Sequence, residues 1–144
     1  MTTRAPGITR ELLEGIAERL DQAGAGTYRP DGSVHLPGET AIVFGTLPSS
    51  PEAAIAITPY QSLDDVGHAD RLVSVQVRMR SPGHDPRLVW DTADKVFGAL
   101  HDVGSYTLGE RVRVAWSART ITAPLGLDDN GRHEQADSYQ FQLT

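Results

Sequence analysis

"RLVSVQVRMRSPGHDPRLVWDTADKVFGALHD", residues 71–102, carries the strongest pattern in the chain. Val73, Val75, Val77 and Met79 alternate with Ser74, Gln76, Arg78 and Arg80. A period of two places the two sets on opposite faces of a β-strand, one dry and one wet. "SPGH" breaks that pattern, and Asp85 then stands directly before Pro86. Proline pushes its predecessor into the extended backbone that an N-cap residue needs, and its own fixed φ suits the first helical position. From there, at about 100° per residue, Val89, Ala93, Val96, Phe97 and Leu100 share one apolar arc. The stretch is therefore a half-buried strand, a sharp break and an amphipathic helix.

Upstream, Leu12, Leu13, Ile16, Ala17 and Leu20 recur at helical spacing and Gly24 is placed to end the helix. Thr9 is the expected N-cap, with Ile8 stapled on Leu13; residues 1–7 read as a frayed tail. Residues 23–39 are dense in glycine and proline and read as a connector with a short strand near Tyr28. Residues 40–45 and 53–60 are short strand candidates, and 61–70 a polar exposed stretch. Downstream, Val112, Val114 and Trp116 alternate with Arg111 and Arg113, and Tyr139, Phe141 and Leu143 alternate with Ser138, Gln140 and Gln142. Between them, 123–135 holds an Asn130-Gly131 turn signal but exceeds a tight hairpin loop. The expected fold is α+β: a mainly antiparallel or mixed sheet of four to five strands flanked by two helices. Trp90, Phe97 and Trp116 are expected in its core, with Asp85 and Pro86 setting the strand-to-helix junction.

A chain of 144 residues is expected to form one domain, burying roughly 68–70% of its unfolded surface. Its 39% hydrophobic and 22% charged residues suit a globular protein. The absence of a signal-peptide core or a long apolar run predicts a protein without a membrane partner that is intracellular or delivered by a route that needs no signal. With no cysteine, disulfides, thiolate nucleophiles and sulfur-bound zinc are excluded. A formal charge of −6 opposes a grip on nucleic acid through phosphates.

Catalytic patterns do not assemble. His35, His68, His84, His101 and His133 show no metal-ligand spacing. Asp91 and Asp94 fit a solvated helix face, with Asp91 placed to pair with Lys95, better than an acid–base couple. "DDNG" at 128–131 lacks the flanking acids of a calcium loop, and "GAG" at 24–26 follows a helix where a dinucleotide fingerprint needs a strand. Neither a cofactor nor a metal is implied. What remains is Arg78, Arg80, Arg111 and Arg113 on the expected wet faces of strands, which fits an ordinary solvated sheet face as well as one that meets another subunit. Arginine is enriched where protein meets protein, and acids such as Asp91, Asp128 and Asp129 on another copy are the expected partners. The long loops 23–39, 61–70 and 123–135 would add reach.

"ITRELLEGIAERL", "AIAITPY", "VSVQVRMRSPGHDPRLVWDTADKVFGALH" and "APLGLDDNGRHEQADSYQF" together resemble the tail terminator, or minor capsid, proteins of long-tailed (siphovirus-type) bacteriophages of actinobacteria. The resemblance implies a non-enzymatic virion protein, a sheet flanked by two helices, assembled as a homo-hexameric ring. The ring would cap the tail tube, stop its polymerisation and join tail to head at the head-proximal end. Its implied partners are the tail tube protein and head-completion or connector proteins, with DNA passing through without specific binding, after assembly in the host cytoplasm. Two other readings stand beside it: a connector or tube protein of the same virion, and a small ligand-binding or enzyme domain with a pocket around Trp90, Phe97 and Trp116.

Overall fold

The computed structural model describes residues 7–64 and 71–144. Residues 1–6 of the tail expected over 1–7, and residues 65–70 with His68, lie outside the described residues. The elements are α1 (Ile8–Gln22), β1 (Thr27–Tyr28), β2 (Ala41–Phe44), β3 (Ala54–Asp64), β4 (Arg71–Arg80), α2 (Pro86–Leu100), β5 (Val103–Leu108), β6 (Val112–Leu127) and β7 (His133–Leu143). The strands form a single mixed, curled sheet in the order β1-β2-β3-β4-β7-β6-β5. β1, β2 and β3 run parallel and every later pairing is antiparallel. Seven strands replace the expected four to five.

The two helices close over one face of this sheet. Val73, Val75, Val77 and Met79 of β4 meet Leu12, Ile16 and Leu20 of α1 and Val89, Val96 and Leu100 of α2 in one hydrophobic cluster. Fully burying a side chain of this size contributes about 1.5–3 kcal/mol, so this face holds the fold together. Gly15 allows α1 to approach β5: a Cβ there would lie 2.6 Å from Leu108 Cβ.

Helix ends follow local chemistry. Asp85 is the N-cap of α2, accepting from the Arg87 N–H at 3.0 Å, and Pro86 occupies the first helical position. α1 starts differently from expectation. Gly7 is its N-cap with no side-chain cap bond, and Thr9 lies inside the first turn. Its other end is a Schellman motif in which Ala25 N–H donates to Leu20 O at 2.9 Å and Gly24 N–H to Asp21 O at 3.0 Å. Gly24, at φ +79°, supplies the left-handed residue.

Five sequence expectations are corrected. β5 was missed because Asp102 and Ser105 both take positive φ and interrupt any alternation. Residues 123–135 are mostly strand, with a turn at 128–132 held by Asp128. Trp116 is not core. A bulge between Val114 and Trp116 breaks the period, so Ser117 takes the buried position and Trp116 is 41% exposed. Trp90 is likewise 53% exposed, lying on the flank of α2 rather than on its buried arc, and Phe97 is half-buried.

Candidate assembly surface

The four arginines do not form one patch. Arg78 and Arg80 end β4, whereas Arg111 and Arg113 stand at the start of β6. Register pairs Arg71 with Leu143 and Leu143 with Val114, so the two pairs lie at opposite ends of the strands. At ~3.3 Å per residue that separates them by about 25–30 Å.

Most of their bonding capacity is used within the chain. Arg78 pairs with Glu134 at 2.6 Å. Arg80 is not on a wet face: it is 4% exposed and donates to the carbonyls of Glu52, Pro48 and Pro51 at 2.6, 2.7 and 2.9 Å. Burial, and then the positive charge of Arg132, lower its pKa. The 46–53 loop is thereby folded over this end of the sheet and explains why Ala54 and Ala56 are buried there. Arg111 donates through its backbone N–H and its guanidinium to Glu11 of α1, at 2.7 and 3.0 Å. Arg113 is exposed and makes no side-chain bond among the described residues.

The acidic candidates are also dispersed. Asp128 caps its own turn and pairs with Arg132 at 2.9 Å, and the backbone hydrogen bond from Arg132 leads the causes that hold its carboxyl below the usual range. Asp129 is exposed at the tip of that turn. Asp91 is exposed on α2 and makes no ion pair with Lys95 among the described residues.

Register reveals a surface that sequence reasoning did not single out. On the face opposite the helices, Leu63, Leu72, Gln142 and Trp116 form one cross-sheet row. Gln61, Ser74, Gln140 and Ala118 form the next, and Thr58, Gln76, Ser138 and Ile121 the third. No charged residue stands in these three rows, and neither helix covers them. Glutamine, serine and threonine beside exposed Trp116 and Ile121 give a surface that loses no ion hydration when covered. The signal existed in the alternation of β4 and β7, where the polar members between Ser74 and Gln76, and between Ser138 and Gln142, are all uncharged.

Beneath the helix-covered face lies a polar pocket of a different kind. Asp137, fully buried, accepts from Thr122 Oγ1 at 2.6 Å and Gln135 Nε2 at 3.0 Å, with Arg119 at 3.6 Å. Arg119 lies 4.3 Å over the Phe97 ring, which stacks on His101 at 4.2 Å. His101 Nδ1 accepts from the Arg119 N–H at 3.1 Å. Burial, reinforced by the Asp137 charge, raises the Tyr139 phenol's pKa against the opposing effect of nearby Arg119, and among the described residues its buried hydroxyl has no partner at hydrogen-bond distance and angle. This network braces α2 against β6 and β7. Its exposed member, Thr122, spends its hydroxyl proton on Asp137, and no group of three or more metal-ligating side chains occurs among the described residues.

Residues 19–144 match the profile describing bacteriophage tail terminator proteins. The chain belongs to that family. It is thus a structural protein of the phage tail. No characterised protein sequence matches the chain significantly. Among solved structures, a chain from "Virion of native gene transfer agent (GTA) particle" shares the fold, with a TM-score of 0.64 and 12% identity. The alignment covers 96% of this chain and 98% of that one. For a tail terminator, the open neutral sheet face and the ordered loops are the surfaces to examine for assembly. The described residues contain no helix long and apolar enough to cross a membrane.

Proposed function

We propose that the chain is a single-domain, ring-forming terminator of a long-tailed phage, of the kind that infects actinobacteria. In this reading the ring is a homo-hexamer that caps the tail tube at its head-proximal end and stops tube growth. It then presents a docking surface to head-completion or connector proteins, and assembly takes place in the host cytoplasm. DNA crosses the channel without specific binding, in keeping with a net charge of −6.

The observation that carries this reading is the family match across residues 19–144, supported by three uncharged cross-sheet rows that neither helix covers. A ring needs two different complementary patches per subunit, so that rotation closes the assembly. A surface free of ions is a suitable member of such a pair. The reading assigns no covalent step to the protein. Its test is native mass spectrometry with negative-stain imaging of the purified protein, alone and with tail tube protein. Closed rings of one stoichiometry support it; a protein that stays monomeric under both conditions refutes it.

A further inference from the structure

The loop between β1 and β2 has a feature that the family assignment does not explain. It is ordered, yet Val34 and Leu36 at its tip are 86% and 62% exposed. Order here is built by closure. Arg29 Nη2 donates to both Glu39 carboxylate oxygens at 2.7 and 2.8 Å, joining the two ends of the loop. Leu36 N–H donates to Glu39 Oε1 at 2.6 Å, Ser33 N–H to Asp31 Oδ1 at 3.0 Å, and His35 Nε2 bonds Thr27 O at 2.8 Å. A loop stiffened in this way, with two apolar side chains held in water, is prepared for contact: the ordering entropy of binding has already been met on folding.

We propose that this loop is a knob that docks on the uncharged sheet face of a second copy of the same chain, around Trp116 and Ile121. Charge selects the occupant. Each copy carries −6, so copies repel except where both surfaces are neutral. The segment Gly32–Gly38 holds no charged residue with His35 neutral, and the three sheet rows around Ile121 hold none either. Exposed Ile121, at 59%, and Trp116 supply the apolar counterpart of Val34 and Leu36.

Geometry makes the contact head-to-tail. β1, which carries the knob, and β6, which carries Ile121 and Trp116, are five steps apart in the strand order. At ~4.8 Å per strand they are separated by about 24 Å across a curled sheet, so a knob does not reach its own socket. A contact between unlike patches repeats from copy to copy and closes only by rotation. The inference rests on the ring reading and gives it a specific joint.

The experiment uses two full-length variants and their mixture, with mass followed by light scattering. The knob variant carries Val34→Asp and Leu36→Asp. The socket variant carries Ile121→Glu and Gln140→Glu. All four positions lie on the surface, and circular dichroism checks that each variant is folded. Each variant alone should be monomeric, and an equimolar mixture should give a heterodimer and nothing larger, because one intact knob meets one intact socket. As a second readout in this cysteine-free chain, Leu36→Cys combined with Ile121→Cys should yield a ladder of disulfide-linked multimers under mild oxidation, on tube-bound protein as well as free. Wild-type rings with unaffected variants, or a mixture that stays monomeric, overturn the joint while leaving the ring reading standing. A ladder-free double-cysteine protein that still forms rings does the same. A wild type that never assembles, alone or on tubes, overturns the ring reading and the joint together.

Discussion

Arg80 Nε donates to the backbone carbonyl of Glu52 at 2.6 Å, across 28 residues of sequence, from a side chain that is almost fully buried. The same guanidinium reaches Pro48 and Pro51, so one arginine fixes the path of a loop that crosses the open face of β3 and β4. Arg80→Ala leaves three carbonyls short of a donor and should destabilise the fold by about 2–3 kcal/mol in urea denaturation. Arg113→Ala removes an exposed side chain with no side-chain bond and should stay within about 0.5 kcal/mol. Equal effects would refute the clamp.

The dry face of β4 is tested by Val77→Asp. Val77 is fully buried opposite Ile57, and a carboxylate there would lack a cationic partner placed for it. The expected loss is about 4 kcal/mol or more, enough to abolish the cooperative transition. A folded variant with an ordinary midpoint would show that the face is assigned wrongly.

Tyr139→Phe runs in the opposite direction. Among the described residues the buried hydroxyl has no hydrogen-bond partner, so its removal discards an unsatisfied group and little else. Stability should be unchanged or higher by up to about 1 kcal/mol. A loss of about 2 kcal/mol would mean that the hydroxyl does bond within the Asp137 network.

Trp116→Gln checks the bulge. A tryptophan in a core loses about 3–5 kcal/mol on truncation. On the exposed side of β6, the replacement should change monomer stability by less than about 1 kcal/mol. Measured well below any assembly concentration, a core-sized loss would place Trp116 back inside.

Stability should also fall in acid. Hydrogen bonds from Arg29, Arg87 and Arg132 hold Glu39, Asp85 and Asp128 below the usual carboxylate range, and Arg111 does so for Glu11 against the opposing effect of burial. A carboxyl whose pKa is depressed on folding stabilises the folded state above its unfolded value, near 4. That contribution is lost as pH falls through the lower folded value. The urea midpoint should therefore be flat from neutrality to about pH 5 and decline below about pH 4. A midpoint that rises in acid would contradict these pairings.

Parts of this architecture were legible in the sequence because the governing chemistry is local. Asp85-Pro86 marks the start of α2 without reference to the rest of the chain, and the valine alternation of β4 marks its buried face. Trp116 was misread because one bulged residue between Val114 and Trp116 turns the side chains that follow it to the other face, and no local signal announces it. Arg80 was misread because alternation places it on the open face correctly, but the loop that covers it comes from residues 46–53. β5 carries Gly104 and a left-handed Ser105, so it pairs through tertiary context rather than pattern. The alternation of β4 and β7 hints at the neutral rows, but their extent across four strands follows only from register.

The tail terminator account is tested most directly by tube length. Purified tail tube protein is polymerised with and without this protein, and the tubes are measured by negative-stain electron microscopy. The account predicts tubes that stop growing and carry a ring at one end once the protein is added at stoichiometry to tube ends. Tubes that keep elongating with bare ends, whatever the amount added, would contradict it.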